Sequence, residues 1–373
     1  MRVGILTYGV FNYGAALQAY ALQEALKEMG HDVQIVDYWT ENRVKNFHSP
    51  WVKSKGARAW VMNAYILMHF RRWQRRIARF AEFRAQFMQL SRRRYFGEQD
   101  LLESPPGCDA YVCGSDQVWN PSKELDPVYF LRFAKKLGKR LVSYAPSFGV
   151  PEVPENRREE CARYLKDFDA LSVREKNGQE IIRDLSGRTS KMTCDPVCLL
   201  TPEQWRERIK PEEMLDRPYI LVYPMRIRKT MMTMVKRLKQ LTGLPVVLIP
   251  SENPASGIGI PADRVVWDAG PREFLQWIMG ASLMCTSSFH GTTLAAIFQK
   301  PLYSVQYTAR DSRMTNLLEQ LGLGDVIVTD ADHHLPSNPL SRDYTQAATA
   351  LAHFRHDSQD YLNAALESKP SLE

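Results

Sequence analysis

No stretch of the 373-residue chain reaches the ~18 uninterrupted apolar residues that a membrane-spanning helix needs, so no span is expected. Cysteine is scarce, with six residues, and neither Cys108/Cys113 nor Cys194/Cys198 has the short paired spacing of a zinc ribbon. A chain this long with so few cysteines is not a disulfide scaffold, and buried reduced thiols are expected. Internal repeats and low-complexity tracts are missing too, which excludes solenoid and fibrous classes. The apolar opening run ends at Gly9 and is followed by a turn and a helical pattern rather than a cleavage site. A cytoplasmic protein is therefore expected.

What is present is the composition of a globular protein, with 44% hydrophobic and 24% charged residues. The 49 basic residues exceed the 42 acidic ones by 7. That surplus favours anionic partners such as phosphates, acidic glycans or an anionic bilayer. Nucleic acid is not expected, because no familiar binding module appears and the positive charge concentrates in one helical stretch.

Apolar runs and helical periodicity alternate through most of the chain. Residues 3–8 read as a buried strand, residues 15–29 as a helix on the Leu22, Ala25, Leu26, Met29 spacing, and residues 33–36 as the next strand. Strands are predicted at 110–113, 140–144, 170–173 and 191–194, then at 219–223, 246–249, 265–267, 283–286, 302–305 and 325–329. Proline breaks between 201 and 218 divide the two sets. The fold expected is α/β and GT-B-like: two Rossmann-like domains with parallel sheets facing across a cleft. Its parts are an N-terminal domain over 1–210, carrying a helical insertion at about 45–98, and a C-terminal domain over 211–340. A terminal helical segment over 341–373 is expected to pack back on the first domain. Residues 51–95 are read as one or two long helices in which Arg71, Arg72, Arg75, Arg76 and Arg79 alternate with Trp73, Ile77, Phe80 and Phe83. The simpler reading is a helix that packs its aromatic face on the core and leaves the basic one solvated; the alternative is a helix lying on the face of an anionic bilayer.

In open α/β sheets, ligands gather beyond the carboxyl ends of strands. Five segments follow strands here. Asn12, Tyr13 and Gly14 open the first helix, where free amides favour an anion and Asn12 can grip a sugar hydroxyl. Ser115, Asp116, Gln117, Trp119 and Asn120 combine hydrogen-bonding groups with an indole that can stack on a sugar ring, and Asp116 can serve as a base. Arg174 suits a carboxylate or phosphate. Asp195 before Pro196 reads as a turn-shaping aspartate. Ser287, Ser288, His290, Gly291 and Thr292 put hydroxyls and an imidazole at a helix start. Arg310 and Arg313 follow the 302–305 strand. Each cluster also has a plain structural reading, as a tight turn, a cap or a solvated charge.

Taken together, Asn12-Tyr13-Gly14-Ala15-Ala16-Leu17-Gln18, Gly114-Ser115-Asp116-Gln117-Val118-Trp119-Asn120, Ser172-Val173-Arg174-Glu175, Asp195-Pro196-Val197 and Ser288-Phe289-His290-Gly291 resemble, in order and spacing, the polysaccharide pyruvyltransferase family. The resemblance spans residues 1 to about 325. It implies phosphoenolpyruvate as donor, a hexose-containing glycan, free or lipid-linked, as acceptor, a cyclic pyruvate ketal as product, and no cofactor or metal. The family's catalytic histidine maps onto His290, as acid toward the donor methylene. The family's arginine two positions before that histidine is Ser288 here. Donor charge is then expected to fall on Arg174, Arg226, Arg310 or Arg313. Two rival readings stand beside it: a GT-B glycosyltransferase using a nucleotide-sugar, and a non-catalytic glycan-binding protein of the same fold.

Overall fold

The structure is a computed structural model, and it describes residues 1–9, 11–40, 56–122, 125–212, 214–226, 228–252, 254–306 and 312–367. Among the described residues, thirteen strands and their covering helices form two parallel sheets and a small third one. The first sheet contains β1 (Arg2–Leu6), β2 (Asp32–Tyr38), β3 (Leu90–Tyr95), β4 (Ala110–Cys113) and β5 (Arg140–Ser143) in the order β3-β2-β1-β4-β5. A two-stranded ladder of β6 (Ser172–Val173) and β7 (Lys191–Met192) continues beyond β5 through a bridge between Val142 and Ala170. The second sheet holds β8 (Ile220–Tyr223), β9 (Val246–Leu248), β10 (Arg264–Val265), β11 (Leu283–Thr286), β12 (Leu302–Val305) and β13 (Ile327–Val328) in the order β10-β9-β8-β11-β12-β13. Strands covered on both faces read as unbroken apolar runs, which is why β4, β8, β11 and β12 are buried at every residue.

Helix α1 (Tyr13–Glu28) starts where the Asn12 side chain accepts a hydrogen bond from the Ala15 N–H at 3.0 Å. It stops before Gly30, which takes a left-handed φ of 84°. Small residues along its length let it lie between the first sheet and the second half, so it is buried almost all round. The insertion forms α2 (Ala57–Met68) and α3 (Phe70–Phe87). It then ends not in helix but in β3, which pairs in parallel with β2. The helical reading of residues 90–95 is thereby corrected. An arginine-rich edge strand carries no apolar alternation for the sequence to show.

The basic face of α3 is not simply solvated. Arg76 is buried, and its Nη1 donates to the carbonyls of Pro250 and Ser251 at 3.2 and 3.0 Å while its guanidinium lies over the Tyr13 ring. Arg79 donates to the Asp268 carbonyl at 2.8 Å, and Arg75 reaches the Asp268 carboxylate at 3.3 Å. Phe80 and Phe83 fill the core beside α1. Arg75, Arg76 and Arg79 therefore bind the second half of the molecule, which removes them from the membrane-facing role read for them in sequence.

Helices α4 (Pro271–Gly280) and α5 (Phe289–Ile297) flank β11. The terminal helix α6 (Thr345–Glu367) returns to the first half. Its Ser358 hydroxyl accepts from the Cys194 N–H at 2.9 Å, and Tyr361 donates to the Ser143 carbonyl at 2.9 Å. All six cysteines are buried and free. Among the described residues no helix is long and apolar enough to cross a membrane.

Arg76 satisfies two buried carbonyls of the other half, so its loss leaves both unpaired. Arg76→Met is expected to cost about 2–4 kcal/mol in urea-induced unfolding, read as a lower midpoint.

Candidate functional site

The ends of β4, β6 and β7 and the start of α5 converge on one carboxylate. Asp195 follows β7, and its Oδ1 accepts from the Val197 N–H at 3.2 Å, capping the short turn that begins at Pro196. Its Oδ2 faces the other way. It accepts from Arg174 Nη1 at 2.7 Å and from the Ser115 hydroxyl at 3.0 Å, and it lies 3.5 Å from His290 Nε2. Burial alone would raise this carboxyl. The charges of His290 and Arg174 outweigh burial and hold it well below the usual carboxylate range. Sequence reading took Asp195 for a turn residue. It is one, and it is also the hub of the site.

Arg174 is buried between Asp195 and Glu175, whose Oε2 is 3.8 Å from its Nε. Burial works against the guanidinium's charge, but the carboxylates of Asp195, Glu175 and Asp116 prevail and raise its affinity for the proton. Its Nε and Nη2 are buried with no hydrogen-bond partner among the described residues, and so is His290 Nε2. Buried donors left this way cost about 1–3 kcal/mol each, which a bound acceptor would recover. The guanidinium lies 4.3 Å from the centre of the Phe289 ring, and Arg313 lies 5.9 Å from the same ring.

His290 stands in the first turn of α5. The Ser288 hydroxyl caps that helix by accepting from the Gly291 N–H at 3.3 Å, and Ser288 N–H donates to Thr286 Oγ1 at 3.1 Å. Across the boundary between the halves, Gly14 in the first turn of α1 packs against the imidazole. A Cβ on Gly14 would stand 2.0 Å from His290 Nδ1. Two helix N-termini thus meet at the imidazole, each favouring negative charge in front of it. Asn12, at the start of α1, donates to the Glu252 carboxylate from the loop after β9, so a second carboxylate stands at the mouth of the site. No motif in the sequence singled out Glu252.

Asp116 has φ of +75°, and its Oδ1 accepts from the Gln117 N–H at 2.7 Å, so the loop after β4 is bent sharply at this residue. With its amide oxygen toward Arg313, Gln117 accepts from both terminal nitrogens of that arginine at 3.0 Å, and Asn120 Nδ2 lies 2.7 Å from the Gln117 amide. These side chains tie the two halves together on the Phe289 side of Arg174.

Several predicted site residues are placed elsewhere. Trp119 is fully buried, stacked on Phe130 at 5.2 Å with its indole N–H given to the Tyr129 carbonyl, so the expectation that it stacks on a sugar is corrected. Tyr13 is also buried; it stacks on Phe274 at 4.4 Å and donates to the Ala269 carbonyl, which makes it packing between the halves rather than acceptor contact. Burial pushes its phenol up to about 12. The Thr292 hydroxyl pairs with the Ser304 hydroxyl in the buried interior of the second half. The Ser287 hydroxyl accepts from the Met225 N–H at 3.0 Å and so anchors the loop that carries the exposed Arg226. Ser115 orients Asp195 and is itself fully buried. Arg310 lies outside the described residues. Among the described residues no group of three or more His, Cys, Asp or Glu is placed to share a metal ion.

A small anion-favouring niche between two parallel-sheet halves, at the carboxyl ends of their strands, defines an α/β protein of the GT-B-like class. Solved structures share that architecture. UDP-GlcNAc 2-epimerase from Neisseria meningitidis bound to UDP-GlcNAc matches with a TM-score of 0.51 at 9% identity, over 99% of this chain and 95% of that one. The MnaA–UDP co-structure from S. aureus matches with a TM-score of 0.50 at 12% identity, over 99% and 91%. No curated protein matches the chain by sequence. The chain belongs to the polysaccharide pyruvyl transferase family, whose model matches residues 12–310.

Gly14→Ala drives a methyl into the imidazole and should lower kcat at least about 100-fold while costing about 1–3 kcal/mol of stability. Asp195→Asn removes the nearer of the two carboxylates paired with buried Arg174 and leaves Glu175 at 3.8 Å, at a cost of about 3 kcal/mol near neutral pH. The sign with pH follows from the depressed carboxyl. The Asp195 contribution is complete above its unfolded pKa of about 4 and is lost as pH falls toward the folded value. The stability gap between wild type and Asp195→Asn should therefore narrow as pH falls below about 4, as read by denaturant midpoints.

Proposed function

We propose that the chain moves the enolpyruvyl group of phosphoenolpyruvate onto two hydroxyls of a hexose, free or in a lipid-linked saccharide, as a cyclic ketal. The observation that carries the reading is the pair of buried Arg174 N–H groups, Nε and Nη2, that no hydrogen bond satisfies, close to the His290 imidazole where two helix N-termini meet. A donor with a carboxylate and a phosphate needs such a seat, because a small dianion is buried only against cations and fixed dipoles. Arg174 takes one anionic group of the donor. The amides that open α1 and α5, with Arg313 and Arg226, face the other.

Protonated His290 gives its proton to the donor methylene, which becomes a methyl group, and positive charge develops at the adjacent carbon. Asp195 steadies the imidazolium before transfer and orients the ring. A sugar hydroxyl adds to the cationic carbon, and its proton passes to Asp116 or Glu252. The carbon–phosphate oxygen bond then breaks. The second hydroxyl closes the ketal, and inorganic phosphate leaves carrying one of the released protons. Gln117 and Asn120, on the Phe289 side, are the acceptor-binding amides of this reading, and Asn12 holds Glu252 at the mouth.

A panel of hexosides incubated with phosphoenolpyruvate tests this, by phosphate release together with the mass gain of a pyruvyl group on the sugar. His290→Ala is expected to lower the rate about 10²–10⁴-fold. Activity within a few-fold of wild type would remove His290 from the acid role. Thermal protection by a nucleotide-sugar but not by phosphoenolpyruvate would favour a glycosyltransferase instead.

A further inference from the structure

Helix α2 leaves uncovered what most helices bury. Trp60 is 78% exposed, Val61 71%, Leu67 64% and Met68 74%. At 100° per residue, positions 60, 61, 64, 67 and 68 fall within about 120° of arc, so they form one continuous stripe rather than scattered apolar residues. Ala64, also exposed, fills the middle of the stripe. A contiguous apolar face of this kind marks a docking surface.

The chain gives that stripe a charged border. After the single turn residue His69, whose ring stacks on Trp267 at 4.6 Å and fixes the elbow to the second half, α3 opens with exposed Arg71 and Arg72. The inward arginines of α3 are already used in holding the two halves together. Arg71 and Arg72 are left at the edge of the apolar stripe, on a chain with a net charge of +7. Aliphatic residues and a tryptophan beside arginines match the acyl boundary and the anionic headgroups of a lipid surface. A protein partner would be expected to meet the stripe with complementary shape. A bilayer needs only the apolar face and the positive border that are on view.

We propose that α2 docks on an anionic bilayer, with Trp60, Val61, Leu67 and Met68 at the acyl boundary and Arg71 and Arg72 on the headgroups. The placement does not depend on which reaction the cleft performs.

Co-sedimentation of the full chain with phosphatidylcholine vesicles, with and without about 30% phosphatidylglycerol, tests it. Wild type is expected to pellet with the anionic vesicles only, and less so at high salt. The triple variant Trp60→Ser, Leu67→Ser, Met68→Ser and the double variant Arg71→Glu, Arg72→Glu should each lose binding about 10-fold or more, with circular dichroism and thermal midpoint unchanged. Wild type left in the supernatant with both vesicle types would overturn the proposal. So would pelleting that neither variant reduces. A concentration-dependent dimer that the triple variant abolishes, with no vesicle binding, would also overturn it and assign the stripe to a second copy of the chain.

Discussion

The site depends on a single buried carboxylate. Asp195 sits in a place where an isolated charge would be forced to neutralise, and it remains ionised because Arg174, Ser115 and His290 all point at the same oxygen. Each partner comes from a different strand end or helix start. The carboxylate is therefore a statement about the register of both sheets, since a shift of either half would leave a charge without its counterpart. Buried ion pairs seldom add much net stability, but breaking one is costly, and that asymmetry holds the arrangement to one geometry.

The second constraint is the rigidity of the seam that carries this carboxylate. Tyr13 stacks on Phe274, meets Phe80 at a tilt and lies under the Arg76 guanidinium, and Arg76 in turn holds the carbonyls after β9. Tyr13 thereby fixes the first turn of α1 against α4, directly before the glycine that touches His290. A ring edge admitted only because Gly14 lacks a side chain cannot tolerate play of even one ångström between the halves. Aromatic packing supplies that stiffness without further charge at the cleft, and a stiff site keeps its dipoles aimed while charge develops.

Much of this was legible in the sequence, for physical reasons that also explain what was not. The strands at 110–113, 283–286 and 302–305 were read to the residue because doubly covered parallel strands must be apolar throughout. The clusters after them stood out because small and polar residues interrupt such runs. Strand β3 was missed because its partner, not its pattern, makes it a strand. Trp119 was misread because its neighbours are polar, whereas Val118 and Trp119 turn back together into a second core that only the fold reveals. Arg76 had a visible signal: it shares one helical stripe with Phe80 and Phe83, and a charge on an apolar stripe points to a partner across an interface. Asp195 was undervalued because local sequence shows only its capping oxygen. The other oxygen acts over distances of 21 to 95 residues along the chain.

Charge at the site constrains what it can hold. Arg174 is already opposed by Asp195 and Glu175, with Asp116 contributing further negative field. A dianion cannot enter on the strength of that arginine alone, and the position that would carry another, two before His290, is a serine used as a helix cap. What remains is the imidazole, the two helix N-termini and Arg313 on the far side of Phe289. A doubly negative ligand would have to be held by these fixed dipoles and the imidazole together, with few full positive charges to share it. The serine two positions before His290 thus moves the burden of holding an anion from a fixed cation onto helix N-termini and the imidazole.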